Sequence, residues 1–96
     1  MDGTSYERKL SFSTIKLHVL KLGDDYNITI FGGDKPHIGT SVLSVPRLSL
    51  SGDNTISATS SVINMISHKD EHICRYVAET VCKKKNAVVL CSGGFH

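Results

Sequence analysis

The run Tyr26-Asn27-Ile28-Thr29-Ile30-Phe31 passes directly into Gly32-Gly33-Asp34-Lys35-Pro36-His37-Ile38-Gly39. In the first part Tyr26, Ile28 and Ile30 alternate with Asn27 and Thr29, the period-two pattern of a half-buried strand. The second part holds three glycines and one proline in eight residues. Two residues of Asn-Gly type suffice to close a hairpin. This connection is longer, and it gives the backbone three positions of free φ and one that is locked. An acid, a base and an imidazole stand among them. The next strand is expected from Ile38 to Val45. The last residues, Ser92-Gly93-Gly94-Phe95-His96, repeat the double glycine and the histidine. The two segments are expected to meet and form one ligand-binding or partner-binding site.

Upstream, Ile15, Leu17 and Val19 alternate with Lys16 and His18, which predicts a strand beginning near Leu10. Leu20 and Leu22 break the alternation, as a bulge or two-sided burial would. Gly23-Asp24-Asp25 reads as a turn, so the strands on either side form an antiparallel hairpin. Met1 to Tyr6 reads as a loose arm. Downstream, Pro46 ends its strand or lies at an edge, because it cannot donate to a ladder. Ser51-Gly52-Asp53-Asn54 is a turn. Ile56, Ala58, Ser60 and Val62 then share one face of a fourth strand. Ser67 is placed as a helix N-cap, and the helix is expected from about Lys69 to Lys84. Ile73, Tyr76, Val77, Thr80 and Val81 are its expected apolar face. Asn86 is a left-handed C′ residue, and Ala87 to Cys91 a buried strand.

The expected fold is therefore α+β, in the order β-β-β-β-α-β. It is either a curved antiparallel sheet or a small β-sandwich, with one main helix packed on one face. The 96 residues make one domain, 1–96, with no internal repeat. Whether that domain is complete or lacks a last element is left open, because the chain stops abruptly after His96.

Net charge is +2, from eleven Lys plus Arg against nine Asp plus Glu. That does not single out nucleic acid as a partner. No apolar run reaches the roughly twenty residues needed to span a bilayer. No signal-peptide core precedes Lys9, so a cytosolic (cytoplasmic) chain is expected. The three cysteines, Cys74, Cys82 and Cys91, are odd in number and read as small buried hydrophobes. A chain this short gains stability readily by self-association, so a homo-oligomer is expected.

His37 is the first candidate ligand donor, with the backbone N–H groups of Gly32, Gly33 and Gly39 beside it as an anion nest. The alternative is a connection whose glycines only satisfy turn geometry. Gly93 and Gly94 offer backbone room next to His96, or simply mark a strand end. Asp34 and Lys35 read as a solvated tip. Arg47 is an isolated guanidinium that could clamp an anion, or an edge-strand surface residue. His68 and His72 are spaced i, i+4, but no third metal ligand follows, so no metal site is assigned. There is no Gly-x-Ser-x-Gly elbow, P-loop or dinucleotide fingerprint, and no nucleophile is paired with a base. The residues do not describe an enzyme.

With these motifs on the page, the chain resembles the small prenylated-flavin chaperone subunits of gallate-type decarboxylases. The likeness is carried by Gly-Gly-Asp-Lys-Pro-His-Ile-Gly, the Ser/Thr-rich strand before a helix, and the closing Gly-Gly-Phe-His. It covers the chain from about Leu17 to His96. In outline that family is similar to proteasome assembly chaperones. The resemblance implies a non-catalytic accessory protein that binds prenylated FMN. It would help hand the cofactor to the large subunit of a UbiD-like aromatic-acid decarboxylase. Carried onto this sequence, it implies a site lined by Gly32, Gly33, His37, Gly39, Gly93, Gly94, Phe95 and His96. Phe31 and Phe95 flank the two Gly-Gly pairs, where a flat apolar slot would need a ring. In that family the chain runs on past the Gly-Gly-Phe-His segment. The alternative function is a protein–protein assembly chaperone or oligomerising subunit with no small ligand.

Overall fold

A computed structural model of the chain describes residues 3–9, 14–33, 37–65 and 71–95. Six strands and one helix follow in the order β1 (Gly3–Lys9), β2 (Thr14–Leu22), β3 (Asp25–Gly32), β4 (Thr40–Leu48), β5 (Ile56–Asn64), α1 (Glu71–Lys85) and β6 (Val89–Phe95). They form one open sheet in the spatial order β1-β2-β3-β6-β4-β5. The α+β class with a single helix on one face is as expected. The arrangement within the sheet differs from the expectation in three ways.

First, Gly3–Lys9 is not a loose arm. It pairs antiparallel with β2, from Gly3 opposite Leu20 to Lys9 opposite Thr14. Its residues are mostly polar, so no apolar alternation announces it.

Second, the sheet is mixed rather than antiparallel, and it is not a sandwich. β6 lies parallel to β3 and antiparallel to β4. The cause is directional. β4 runs against β3 and β5 against β4, so β5 already runs with β3; α1 carries the chain back, and β6 starts again in the direction of β3.

Third, Gly32–Gly39 does not close a hairpin, because β6 is inserted between β3 and β4. The connection must cross two strand spacings, roughly 9.5 Å. That requirement explains its length.

The hairpin joining β2 and β3 is tight. Leu22 opposes Asp25, with only Gly23 and Asp24 between them. Gly23 has φ +62°, which suits the first central position of a type II′ turn. The register is unbroken along both strands. Leu20 and Leu22 therefore mark no bulge, and Leu20 is half-buried. They lie on the sheet face away from the helix, where Leu22 is exposed. Pro46 lies inside β4, opposite Ala58 of β5. Pairing of β4 with β6 has already ended at Ser44 opposite Val89, so Pro46 occupies a local edge.

α1 packs on β4, β5 and β6. Cys74, Ala78 and Cys82, at i, i+4, i+8, form its buried line. They join Ile28, Ile30, Val42, Val89 and Cys91 in the core. The helix face is thus rotated from the expected one: Tyr76 is 71% exposed, and Ile73 is exposed as well. Small side chains let the helix sit close over Val42, Ser44 and Cys91. The larger Val77 and Val81 stand to one side of that line, half-buried against the same core. All three cysteines are buried thiols outside any disulfide. A side-chain hydrogen bond with Cys74 and burial push the Cys91 thiol far up, so Cys91 is a packing residue. Asn86 closes the helix at φ +50°, as a left-handed C′ residue.

The Ser/Thr-rich strand has a structural purpose. Ser60 donates to Glu79 Oε2 at 2.6 Å and lies 2.7 Å from the buried Ser44 hydroxyl. Ser60 has one proton, which goes to the carboxylate, so Ser44 donates to Ser60. The chain Ser44–Ser60–Glu79 ties β4, β5 and α1 together with every hydroxyl satisfied.

Candidate functional site

β3 and β6 run side by side and end at the same edge. Ile30 opposes Gly93, Phe31 opposes Gly94 and Gly32 opposes Phe95. Residues 37–39 lie at this end, leading into β4. The Gly39 N–H donates to the Gly93 carbonyl at 2.8 Å, and the Gly39 carbonyl accepts from the Met65 N–H at 2.8 Å. Gly32, Gly33, Gly39, Gly93, Gly94 and Phe95 therefore gather at one end of the sheet. His37 belongs to the same connection and is exposed. His96, Asp34 and Lys35 lie outside the described residues.

The glycines differ in what they do. Gly93 has φ +143°, and a Cβ there would stand 1.7 Å from the Ile30 carbonyl oxygen. On the side where a Cβ would point, the backbone of β3 fills the space. Gly33, at φ +75°, makes the left-handed turn out of β3. Gly39 is buried between β6 and the residue after β5.

Three apolar residues border this end and are exposed: Ile38 at 68%, Ile63 at 77% and Met65 at 62%. The Gly39–Met65 bond brings the chain on either side of Ile38 and Met65 together. Sequence reasoning did not find these residues, because apolar residues in and beside strands read as core. No periodicity marks them. Phe31 points to the sheet face away from the helix, on the same side as its neighbour Gly94.

The start of α1 opens at the same edge. Thr40 is buried, and its hydroxyl donates to Asn64 Oδ1 at 2.5 Å. Asn64 Nδ2 donates to Glu71 Oε1 at 2.7 Å. Arg75 Nη2 donates to the other Glu71 oxygen at 2.6 Å. These bonds join β4, β5 and the first turns of α1. Asn64 and Arg75 together hold the Glu71 carboxyl below its usual range. Asp53, in the distant β4–β5 turn, is lowered by the Thr55 hydroxyl and N–H, with Ser51 adding to them.

Both shifts have the same sign. A carboxylate favoured in the folded state takes up its proton later than in the unfolded chain. The stability it contributes is therefore present above the ordinary carboxylate range and is lost as pH falls through the folded value. The urea midpoint is expected to stay level from neutral pH down to roughly 5 and to decline below roughly 4.5. In Glu71→Gln the decline is expected to be shallower. An equal decline in both proteins would count against the Asn64–Glu71–Arg75 relay.

Arg47 lies at the far end of β4. Its Nε donates to Thr59 Oγ1 at 2.9 Å, so it serves the β4–β5 surface and not the glycine end. His72 is exposed in the first turn of α1, and His68 falls outside the described residues. Among the described residues no group of three or more His, Cys, Asp or Glu is placed to hold a metal ion. No helix among them is long and apolar enough to cross a membrane.

The family model for the prenylated flavin chaperone LpdD-like domain matches residues 10–96 of this chain. No curated protein matches it.

Proposed function

The chain belongs to the LpdD-like prenylated flavin chaperone family, and from that membership we propose that it binds prenylated FMN at the glycine end of its sheet and passes it to a UbiD-like decarboxylase. The family assignment supports an accessory, chaperone role. The binding position and the delivery are the parts proposed.

The single observation that carries the position is the convergence of β3, β6 and the Gly33–Gly39 connection at one edge. The carboxyl ends of parallel strands are where open α/β sheets place ligands. The residues there fit a flavin mononucleotide in kind. Ile38, Ile63 and Met65 offer apolar surface to a ring system. The backbone around Gly33, with exposed His37, offers donors to an anionic tail. When bound, the group contributes an apolar ring and a phosphate to be held. Gly93 belongs to the wall rather than the lining. Gly32, Gly39 and Gly94 keep that wall low, and His96 closes the family motif. An exposed apolar rim also suits transfer, because a cofactor held at a surface is released to a partner without unfolding its carrier.

The test is a thermal-shift titration with prenylated FMN. A ligand at a hundred times its Kd stabilises by about 2.7 kcal/mol. For a domain of this size that raises Tm by roughly 10–20 °C. Met65→Glu and His37→Ala are each expected to reduce the rise. No rise at saturating prenylated FMN would sink the reading.

A further inference from the structure

β5 forms one edge of the sheet. It pairs with β4 along its whole length, from Leu48 opposite Ile56 to Thr40 opposite Asn64. Among the described residues no strand lies on its other side. Natural sheets guard such edges with lysines, prolines, bulges or short strands, because unpaired N–H and C=O groups template further pairing. β5 has none of these guards. Ile-Ser-Ala-Thr-Ser-Ser-Val-Ile-Asn contains no charge, proline or glycine over nine residues. Its register with β4 runs without a bulge. The opposite edge, β1, carries Glu7, Arg8 and Lys9 in seven residues. One edge is guarded and the other is open.

We propose that β5 is the pairing edge for a second copy of this chain, joined antiparallel about a two-fold axis through Ser60. Such an axis, perpendicular to the sheet, keeps every side chain on its own face. Opposed residues must then share parity, and the axis must pass through a residue. Placed at Ser60, it uses all nine residues. Ser60 opposes its own copy, Thr59 opposes Ser61 of the second copy, and Ala58 opposes Val62. These are small hydroxyl and β-branched pairs of the kind that stabilise ladders. No pair sets like charges opposite each other.

The surface area points the same way. The chain exposes 6602 Å², whereas a compact monomer of this mass exposes about 5,400 Å². The surplus, about 1,200 Å², exceeds the roughly 800 Å² that each partner contributes to a standard interface. The radius of gyration, 13.9 Å, likewise exceeds the about 12.5 Å of a compact chain.

The test is the molar mass of the full chain without cofactor, measured by light scattering on a sizing column across a dilution series. The wild type is expected near twice 10.5 kDa at the highest concentrations. Ser61 is exposed and lies beside the axis. Ser61→Lys and Ser61→Glu are each expected to run as single chains. Mixed in equal amounts, they are expected to recover the two-chain mass, because lysine and glutamate then stand diagonally across the axis, within reach of each other. A misfolded variant could not be rescued in this way. A wild type of single-chain mass at every concentration would overturn the proposal and leave the edge to a strand of another protein. Retention of the two-chain mass by Ser61→Lys alone would overturn it equally. None of these outcomes depends on flavin binding, so the two proposals fail separately.

Discussion

Gly93→Ala is expected to leave no cooperatively folded protein at ordinary temperature. The added Cβ would stand 1.7 Å from the Ile30 carbonyl oxygen and 2.7 Å from its carbonyl carbon. Both atoms are backbone, held in the parallel pairing of β3 with β6. Neither can retreat without opening the centre of the sheet. The φ of +143° adds strain for any residue with a Cβ. Losses above about 4–5 kcal/mol are exceptional for one substitution. Here such a loss would consume most of the roughly 5–14 kcal/mol that 96 residues ordinarily hold. Gly52→Ala is the control. Gly52 has φ +73° with nothing within 4 Å of its Cβ position, so only the left-handed strain of about 1–2 kcal/mol remains. Far-UV circular dichroism and urea unfolding of both variants decide the matter. A Gly93→Ala protein melting within a few degrees of the wild type would show that the β3–β6 contact is not as close as described.

Ile28→Ala is expected to cost about 2–5 kcal/mol, the range for truncating a buried branched side chain. Ile28 is fully buried in the middle of β3, opposite Val19 of β2 and Cys91 of β6. A domain of this size loses roughly 4–8 °C of Tm per kcal/mol, so the fall should be about 10 °C or more. Ile63→Ala removes the same atoms from an exposed position on β5. It should change stability by no more than about 0.5 kcal/mol. The pair separates burial from chemistry. Equal shifts in the two variants would contradict the assignment of core and surface.

The two isoleucines also show where the sequence stops being informative. Alternation sets Ile28 with Tyr26 and Ile30, and sets Ile63 opposite the face that Ala58, Ser60 and Val62 share, but it does not say which face a helix will cover. The strands, the helix, the Gly23 turn and the Asn86 cap were legible, because each rests on neighbours a few residues away. Strand β1 was not, since its polar residues have no apolar period. The helix face is rotated from its apolar stripe because cysteine and alanine pack closest to the sheet. Small residues there allow the close approach, and the larger Ile73 and Tyr76 were left outside.

For the candidate site, the residue types in Gly32–Gly39 and Gly93–Phe95 announced something other than a simple turn, and chemistry within the chain was enough to say so. What they do individually was decided by the insertion of β6 between β3 and β4. That insertion made the long connection a bridge over a strand, filled the room beside Gly93 with backbone, and brought Gly39 against Gly93 and Met65. It also exposed Ile38, Ile63 and Met65 at the same edge. Strand order is a non-local property, set by which buried faces and unpaired edges can be satisfied together. Local composition prescribes the elements and their turns, but only the assembled sheet determines which of their ends become neighbours.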